Sequence, residues 1–141
     1  MGKNNTIGAY TVIGGDGEIR GTESFEGRVV IGSGNKISEL VTIQRPAVQG
    51  QTTEIGNNNI IMAHSHIGHD VLIGSNTEIS SGTIIGGYAL IDNGAKLKLG
   101  TTIRNRVMVG SNAIVGMGAV VVAIVPPFST VIGNPAKPIQ K

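Results

Sequence analysis

One apolar residue recurs at every sixth position of this chain, from Ile7 to Val121. Gln49 is the only polar residue in that series, and small residues such as Thr11 and Ser65 stand two places before most of its members. A period of six fits neither the alternation of a half-buried strand nor the turn of an amphipathic helix. A fixed repeat of this kind indicates a solenoid, in which stacked units bury one continuous core.

A parallel β-helix is the solenoid that a six-residue period predicts. Each hexad supplies one short strand and one corner, three hexads close a triangular coil, and the aliphatic residue points inward. The twenty hexads between Ile7 and Val121 therefore predict an all-β fold of about six to seven coils, in one domain over residues 1–141. Branched aliphatics are abundant and Cys is absent, so burial and backbone pairing must hold the chain together.

Three segments depart from the regular prism. Two of them, at about 14–30 and 44–54, keep the period but lose its apolar composition. We expect both to be extruded loops, where functional residues concentrate. The tail at 126–141 contains four of the five prolines, which suit a non-helical strand. We expect the tail to leave the prism and pack elsewhere.

Charge is distributed unevenly along the chain. All nine acidic residues lie before residue 93, and the remainder carries six bases and no acid. Four of these bases fall between Lys96 and Arg106, so we expect an anionic ligand there. Nucleic acid is disfavoured, because readers of single strands stack bases on aromatic side chains and this chain has only four. No apolar run approaches the roughly 20 residues of a membrane span, so we expect a cytoplasmic protein.

All three histidines lie between residues 64 and 69. His69 follows the inward Ile67 by two places, so we expect it at a corner with its imidazole facing outward. The adjacent Asp70 could fix its tautomer and raise its basicity, which makes His69 a candidate general base. On the residues alone, a solvated corner histidine beside a turn aspartate fits equally well.

Several consecutive motifs resemble those of the bacterial UDP-N-acetylglucosamine O-acyltransferases, a hexapeptide-repeat family. They are Thr-Ile-x-Arg at 42–45, Val-Gln-Gly at 48–50, His-x-x-His-Asp at 66–70 and Gly-Asn-Pro-Ala at 133–136. The resemblance implies a left-handed β-helix and a homotrimer with active sites between subunits. It implies acyl transfer from an acyl carrier protein or CoA thioester to a hydroxyl of a nucleotide sugar such as UDP-N-acetylglucosamine, with no cofactor and no metal. We expect a shortened form, without the family's additional N-terminal coils and C-terminal helical domain.

The same resemblance implies roles for four residues at the matching positions. His69 would take the proton from the acceptor hydroxyl, Asp70 would orient His69, and His66 would help to position the acceptor and the acyl chain. The backbone N–H of Gly87 would stabilise the oxyanion that forms on the thioester carbonyl.

Other substrate-binding positions differ from the family. Tyr88 stands where the family has His, and Arg104 and Arg106 fall within the stretch that matches its His-Gln-Phe. Glu18 and Arg20 match its acceptor-binding Asp-x-Lys pair after a shift of one residue. We therefore expect all five residues to contact substrates, with contacts that differ from those of the family.

Three other functions are open at this point. An acetyl-CoA-dependent sugar or amino-sugar acetyltransferase would share the repeats and the tail motif. A γ-class carbonic anhydrase would share the fold and a His-x4-His pair like His64 and His69, but it needs a further upstream histidine that the chain lacks. A non-catalytic prism, such as a trimeric spike or an ice-binding β-helix, would need the fold alone.

Overall fold

The computed structural model describes residues 1–21 and 26–139, and these form a left-handed parallel β-helix of triangular section. Nineteen short strands of these residues line up as three sheets, here called faces A, B and C, in which all strand pairings except that of β19 are parallel. Face A comprises β1 (Thr6–Ile7), β4 (Lys36–Ile37), β7 (Ile60–Ile61), β10 (Glu78–Ile79), β13 (Lys96–Leu97), β16 (Ile114–Val115), β18 (Thr130–Ile132) and β19 (Lys137–Pro138). Face B comprises β2 (Val12–Gly15), β5 (Thr42–Gln44), β8 (His66–Ile67), β11 (Ile84–Ile85), β14 (Thr102–Ile103) and β17 (Val120–Val121). Face C comprises β3 (Arg28–Ile31), β6 (Thr52–Ile55), β9 (Leu72–Ile73), β12 (Leu90–Ile91) and β15 (Met108–Val109).

The aliphatic residues on the period from Ile31 to Val121 form the core, as predicted, whereas Ile7 in the first coil is 41% exposed. Ile61, Ile79 and Leu97 stack on one another in face A and are completely buried, while the residue before each of them is more exposed. Small residues fill the turns beside them, among them Ala95 and Thr77. The prism interior is therefore a stack of branched side chains.

Three corners join the faces. The A/B corner contains residues such as 62–65 and 80–83, the C/A corner contains 56–59 and 74–77, and the B/C corner contains 68–71, 86–89 and 104–107. One residue at the same phase of most corners has a positive φ, for example Asn58 at 56° and Tyr88 at 63°. Residues of this phase in successive coils therefore point their side chains in similar directions.

Two loops interrupt the coils between faces B and C. Along most of each face paired residues are 18 apart, but β2 pairs with β5 at a separation of 30 residues and β3 pairs with β6 at 24. The extra residues lie in loop 1 (residues 16–27) and loop 2 (residues 45–51). Both loops are shorter than the predicted segments, because the flanking strands extend further into them. Both insertions are multiples of six, which explains why the period runs through them.

The residues on the period that fall in the two loops are therefore not part of the coils. Ile19 lies in loop 1 and Gln49 is exposed in loop 2, so neither belongs to the core. Phe25, which also falls on the period, lies outside the described residues. An aliphatic residue that falls on the six-residue period therefore does not always point into the core.

The prediction that the tail leaves the prism is wrong. Val125 bridges Val109 in face C, and β18 pairs with β16 in the parallel register of face A. Pro126 and Pro127 occupy the turn between them, where no ladder N–H is required. Only the following strand, β19, reverses direction and pairs antiparallel with β18. No helix in the described residues is long and apolar enough to cross a membrane.

Candidate active site

The B/C corner brings together residues from three successive coils. His69 and Asp70 follow β8, Gly87 and Tyr88 follow β11, and Arg106 follows β14. Backbone hydrogen bonds join the coils here, since the Tyr88 N–H donates to the His69 carbonyl at 3.0 Å and the Arg106 N–H to the Gly87 carbonyl at 2.9 Å. The one-coil spacing therefore stacks these five residues at one place.

His69 and Asp70 form a hydrogen-bonded pair. The His69 Nδ1 atom lies 2.9 Å from Asp70 Oδ2, and the two side chains are 11% and 4% exposed. A carboxylate can only accept, so we assign the proton to Nδ1 and leave Nε2 as an acceptor. This is the tautomer that a general base requires.

Buried groups on neighbouring coils hold this pair in place. The Gln44 Oε1 atom accepts a hydrogen bond from the His69 N–H at 3.1 Å, and Thr53 Oγ1 accepts one from the Asp70 N–H at 2.9 Å. The N–H of Ala47 in loop 2 donates to Asp70 Oδ2, also at 2.9 Å. Gln44, Ala47 and Thr53 are site residues that no motif in the sequence indicates, although Thr53 occupies the small buried position two places before Ile55.

His69 lies at a corner, as expected, but its imidazole is not open to solvent. His69 is only 8% exposed, because loop 1 lies over it. A Cβ built on Gly17 would stand 2.9 Å from the Cβ atoms of both His69 and Ala47, so only glycine allows this approach. An ion pair between Asp16 and Arg45 links loop 1 to loop 2 beside it. The two loops therefore enclose the histidine that the prism alone would expose.

Tyr88 packs against the imidazole. The His69 and Tyr88 ring centroids are 4.9 Å apart with an interplanar angle of 87°, an edge-to-face contact. The Arg106 guanidinium carbon lies 4.2 Å from the Tyr88 ring centroid, within cation–π distance. His69, Tyr88 and Arg106 thus form a continuous stack along the corner.

Gly87 leaves space for the imidazole and has a usable donor. A Cβ on Gly87 would overlap His69 Nε2 and Cε1. Within the described part of the chain, the Gly87 N–H donates to no acceptor. A cavity of about 450 Å³ opens at this point, and it is lined by Glu18, Ile19, Arg20, His69, Gly87, Tyr88 and Asn105.

Two other predicted residues line neighbouring cavities. His66 accompanies Glu18 in a cavity of about 340 Å³ on face B, where its Nδ1 lies 2.7 Å from Thr42 Oγ1. Arg104 lines a third cavity of about 310 Å³ with Asn105, Arg106 and apolar residues that include Ile124. Glu18 and Asn105 each belong to two of the three cavities, which places all three around one corner.

The remaining candidates lie elsewhere. His64 is exposed at the A/B corner, away from His69. Lys96 lies on face A, and Lys98 at the A/B corner reaches Glu78 at 3.8 Å, so the base-rich stretch is divided between two corners. Among residues 1–21 and 26–139, no three side chains of His, Cys, Asp or Glu form a group that could hold a metal ion.

Comparison with known proteins agrees with this architecture. Residues 52–87 match the model of the bacterial transferase hexapeptide (six repeats). This part of the chain therefore carries hexapeptide repeats of the bacterial transferase type. It is 36% identical over 138 residues to the acyl-[acyl-carrier-protein]–UDP-N-acetylglucosamine O-acyltransferase of Stutzerimonas stutzeri, an alignment that covers 97% of this chain and 54% of that protein.

Solved structures place this hexapeptide-repeat chain in the same fold. The UDP-N-acetylglucosamine acyltransferase of Francisella novicida superposes with a TM-score of 0.93 and 34% identity, over 97% of this chain and 51% of the other. PerB from Caulobacter crescentus, solved in complex with CoA and GDP-perosamine, gives a TM-score of 0.80 at 24% identity, over 98% and 58% of the two chains, and it shares the fold alone. The chain spans about half the length of the curated relatives it matches.

Proposed function

We propose that this protein transfers an acyl group from a thioester donor to a hydroxyl of a nucleotide sugar, with UDP-N-acetylglucosamine as the first candidate acceptor. The observation that carries the proposal is the buried His69–Asp70 pair, whose free Nε2 lies at the cavity beside Gly87. The similarity to UDP-N-acetylglucosamine O-acyltransferases supports this reaction class.

His69 acts as the general base. Its Nε2 takes the proton from the acceptor hydroxyl while that oxygen attacks the thioester carbonyl carbon. Asp70 Oδ2 accepts the Nδ1–H bond throughout, which stabilises the imidazolium that forms. When the tetrahedral intermediate collapses, the carbon–sulfur bond breaks, and the leaving thiolate takes the proton from Nε2.

Gly87 stabilises the intermediate. Negative charge develops on the former thioester carbonyl oxygen, and the Gly87 N–H is a fixed donor close to the imidazole. A backbone donor of this kind is oriented before the charge forms, so its stabilisation requires no rearrangement.

The three cavities suggest where each substrate binds. The acceptor lies against loop 1, where the Glu18 carboxylate accepts hydrogen bonds from its hydroxyls and the Arg20 guanidinium donates to its oxygen atoms. His66 lines the adjoining cavity and helps to position the acceptor. The donor follows the other side of the corner, where Arg104 attracts the phosphate of phosphopantetheine or CoA and the apolar residues near Ile124 contact its arm.

We also infer that the active unit is a homotrimer in the cytoplasm, where acyl carrier protein and CoA thioesters are found. The three corner cavities are open on one side, and a second subunit would close them. Sedimentation of the active protein should give the mass of three chains, and turnover by a stable monomer would contradict this.

A donor and acceptor screen tests the proposal. The purified protein is incubated with UDP-N-acetylglucosamine and one donor, either acetyl-CoA or an acyl carrier protein that bears an acyl chain of known length. The mass of the sugar product is then measured by mass spectrometry. We expect an acyl ester with at least one acyl carrier protein and no ester with the His69→Ala variant. Products from acetyl-CoA alone would favour an acetyltransferase. Absence of any acylated sugar with all donors would overturn the proposal.

A further inference from the structure

Tyr88 occupies a position from which it controls the His69 imidazole. The hydrogen bond from Nδ1 to Asp70 fixes one atom of the ring, but the ring can still tilt about that bond. The edge-to-face contact with Tyr88, at 4.9 Å between centroids, blocks this tilt on one side. A Cβ built on the neighbouring Gly87 would overlap Nε2 and Cε1, so the ring also lies close to the Gly87 backbone.

Arg106 holds Tyr88 from the next coil. Tyr88 and Arg106 are one coil apart and have φ values of 63° and 66°, so their side chains leave the corner in the same direction. The guanidinium therefore covers the phenol ring at 4.2 Å. In the described part of the chain no hydrogen bond or ring contact joins Arg106 to His69, so its effect on the imidazole passes through the ring of Tyr88.

We propose that Tyr88 and Arg106 are positioning residues that hold the His69 imidazole in one orientation, with Nε2 directed into the cavity beside Gly87. The inference rests on the proposed function for its effect on turnover, and on the contacts alone for its effect on the ring. It assigns Tyr88 and Arg106 a role in the geometry of the base in addition to any substrate contact.

The orientation of the imidazole can be measured without any substrate. The aromatic ring of Tyr88 shifts the resonances of the His69 ring protons, so these are followed by NMR in Tyr88→Leu, Tyr88→Phe and Arg106→Leu. We expect Tyr88→Leu to move the His69 signals towards those of a free histidine, Tyr88→Phe to restore them, and Arg106→Leu to give a partial shift. Tyr10 has the same corner phase, with a φ of 61°, and is 85% exposed at the A/B corner. Tyr10→Leu is therefore the matched control and should leave the His69 signals unchanged.

Turnover provides the second measurement. With the acceptor and donor found active, Tyr88→Leu should lower kcat about 10- to 100-fold, the usual consequence of a misplaced catalytic group, with little change in either KM. Tyr88→Phe should restore most of kcat, because the ring and not its hydroxyl makes the contact. A loss confined to KM would mean that Tyr88 only binds substrate, and it would overturn the proposal.

The NMR and turnover measurements test this inference separately from the proposed function. If the parent protein acylates no acceptor, the proposed function fails and the NMR arm alone decides whether Tyr88 orients the ring. If the His69 signals are the same in Tyr88→Leu and the parent, or if Tyr10→Leu shifts them equally, the positioning role is overturned whatever the activity.

Discussion

The C/A and B/C corners of the prism are built from the same six-residue repeat but have different hydrogen-bonding patterns. At the C/A corner, Asn59 is fully buried and bonds only to structural partners: its Nδ2 donates to the Gly74 carbonyl at 2.9 Å, and its Oδ1 accepts the N–H of Thr77 at 2.8 Å. At the B/C corner, His69, Asp70 and Tyr88 contact one another instead. The buried Asp70 Oδ1 has no hydrogen-bond partner among the described residues.

The difference shows how one repeat separates stability from chemistry. Asn59 satisfies backbone groups of an adjacent coil, and its own Nδ2 and Oδ1 are used within the core. The B/C corner instead leaves acceptors and a donor unpaired beside a cavity, which costs stability and permits reaction. Substitutions at the corners of the prism test this division.

Replacing His69 by Ala should give the largest effect on activity. Loss of a general base typically lowers the rate by about 10² to 10⁴, so kcat for acyl transfer should fall within that range. His64→Ala is the control, since His64 is exposed at a different corner. Both variants should retain the β-sheet circular dichroism of the parent. An equal loss of activity in the two would mean that the corners do not differ in function.

Replacing Asn59 by Ala should damage stability instead. The variant removes one of the two donors to the Gly74 carbonyl and leaves the N–H and hydroxyl of Thr77 without their acceptor in the core, and each group left unpaired costs about 1–3 kcal/mol. We expect the free energy of unfolding in urea to fall by about 3 kcal/mol, with kcat of the folded protein unchanged. Asn76→Gly, at an exposed position of the same corner with a φ of 59°, should unfold close to the parent.

Replacing Gly87 by Ala should displace the imidazole. The new Cβ would overlap His69, and a displacement of the base should lower kcat by about 10- to 100-fold. Gly100→Ala is the control and should affect stability instead of activity, because Gly100 has a φ of 66° and open space around it. That control should cost about 1–2 kcal/mol of stability and leave kcat intact. Full activity in Gly87→Ala would show that the imidazole is not confined as described.

Replacing Arg104 by Glu should give the smallest effect. Arg104 is exposed, and exposed ion pairs contribute about 0.2–1 kcal/mol, so the donor KM should rise about 2- to 5-fold with kcat unchanged. The rise should shrink as salt concentration increases. Lys36→Glu, an exposed charge reversal on face A, should leave the donor KM unaltered. An identical response of the two variants would place the donor away from the B/C corner.

The period predicted the core because an inward position depends on local strand geometry, which repeats with the sequence. It did not predict the enclosure of His69, because that depends on the contact of Gly17 with a residue more than 50 positions away. No local sequence pattern predicts where an irregular loop packs on the surface of the prism. The tail was misread for a related reason: proline excludes a ladder donor, but the turn at Pro126 needs none.

The contact of Tyr88 with Arg106 could have been predicted. Once three hexads are known to close a coil, residues 18 apart at a corner must be neighbours, and Asp70, Tyr88 and Arg106 form such a series. The contact between the Tyr88 and Arg106 side chains follows from that spacing. What the spacing does not give is the direction of the rings, which the left-handed backbone at these positions determines.

The lengths of the two loops have a consequence for protein engineering. A single residue inserted into a coil would act on the core as a frameshift acts on a gene, because every later aliphatic residue would move off its inward position until the chain could correct itself. The same residue inserted into loop 2 would be absorbed before β6 begins. We therefore expect peptides grafted near Gly50, which is exposed with open space around it, to leave the downstream prism in frame.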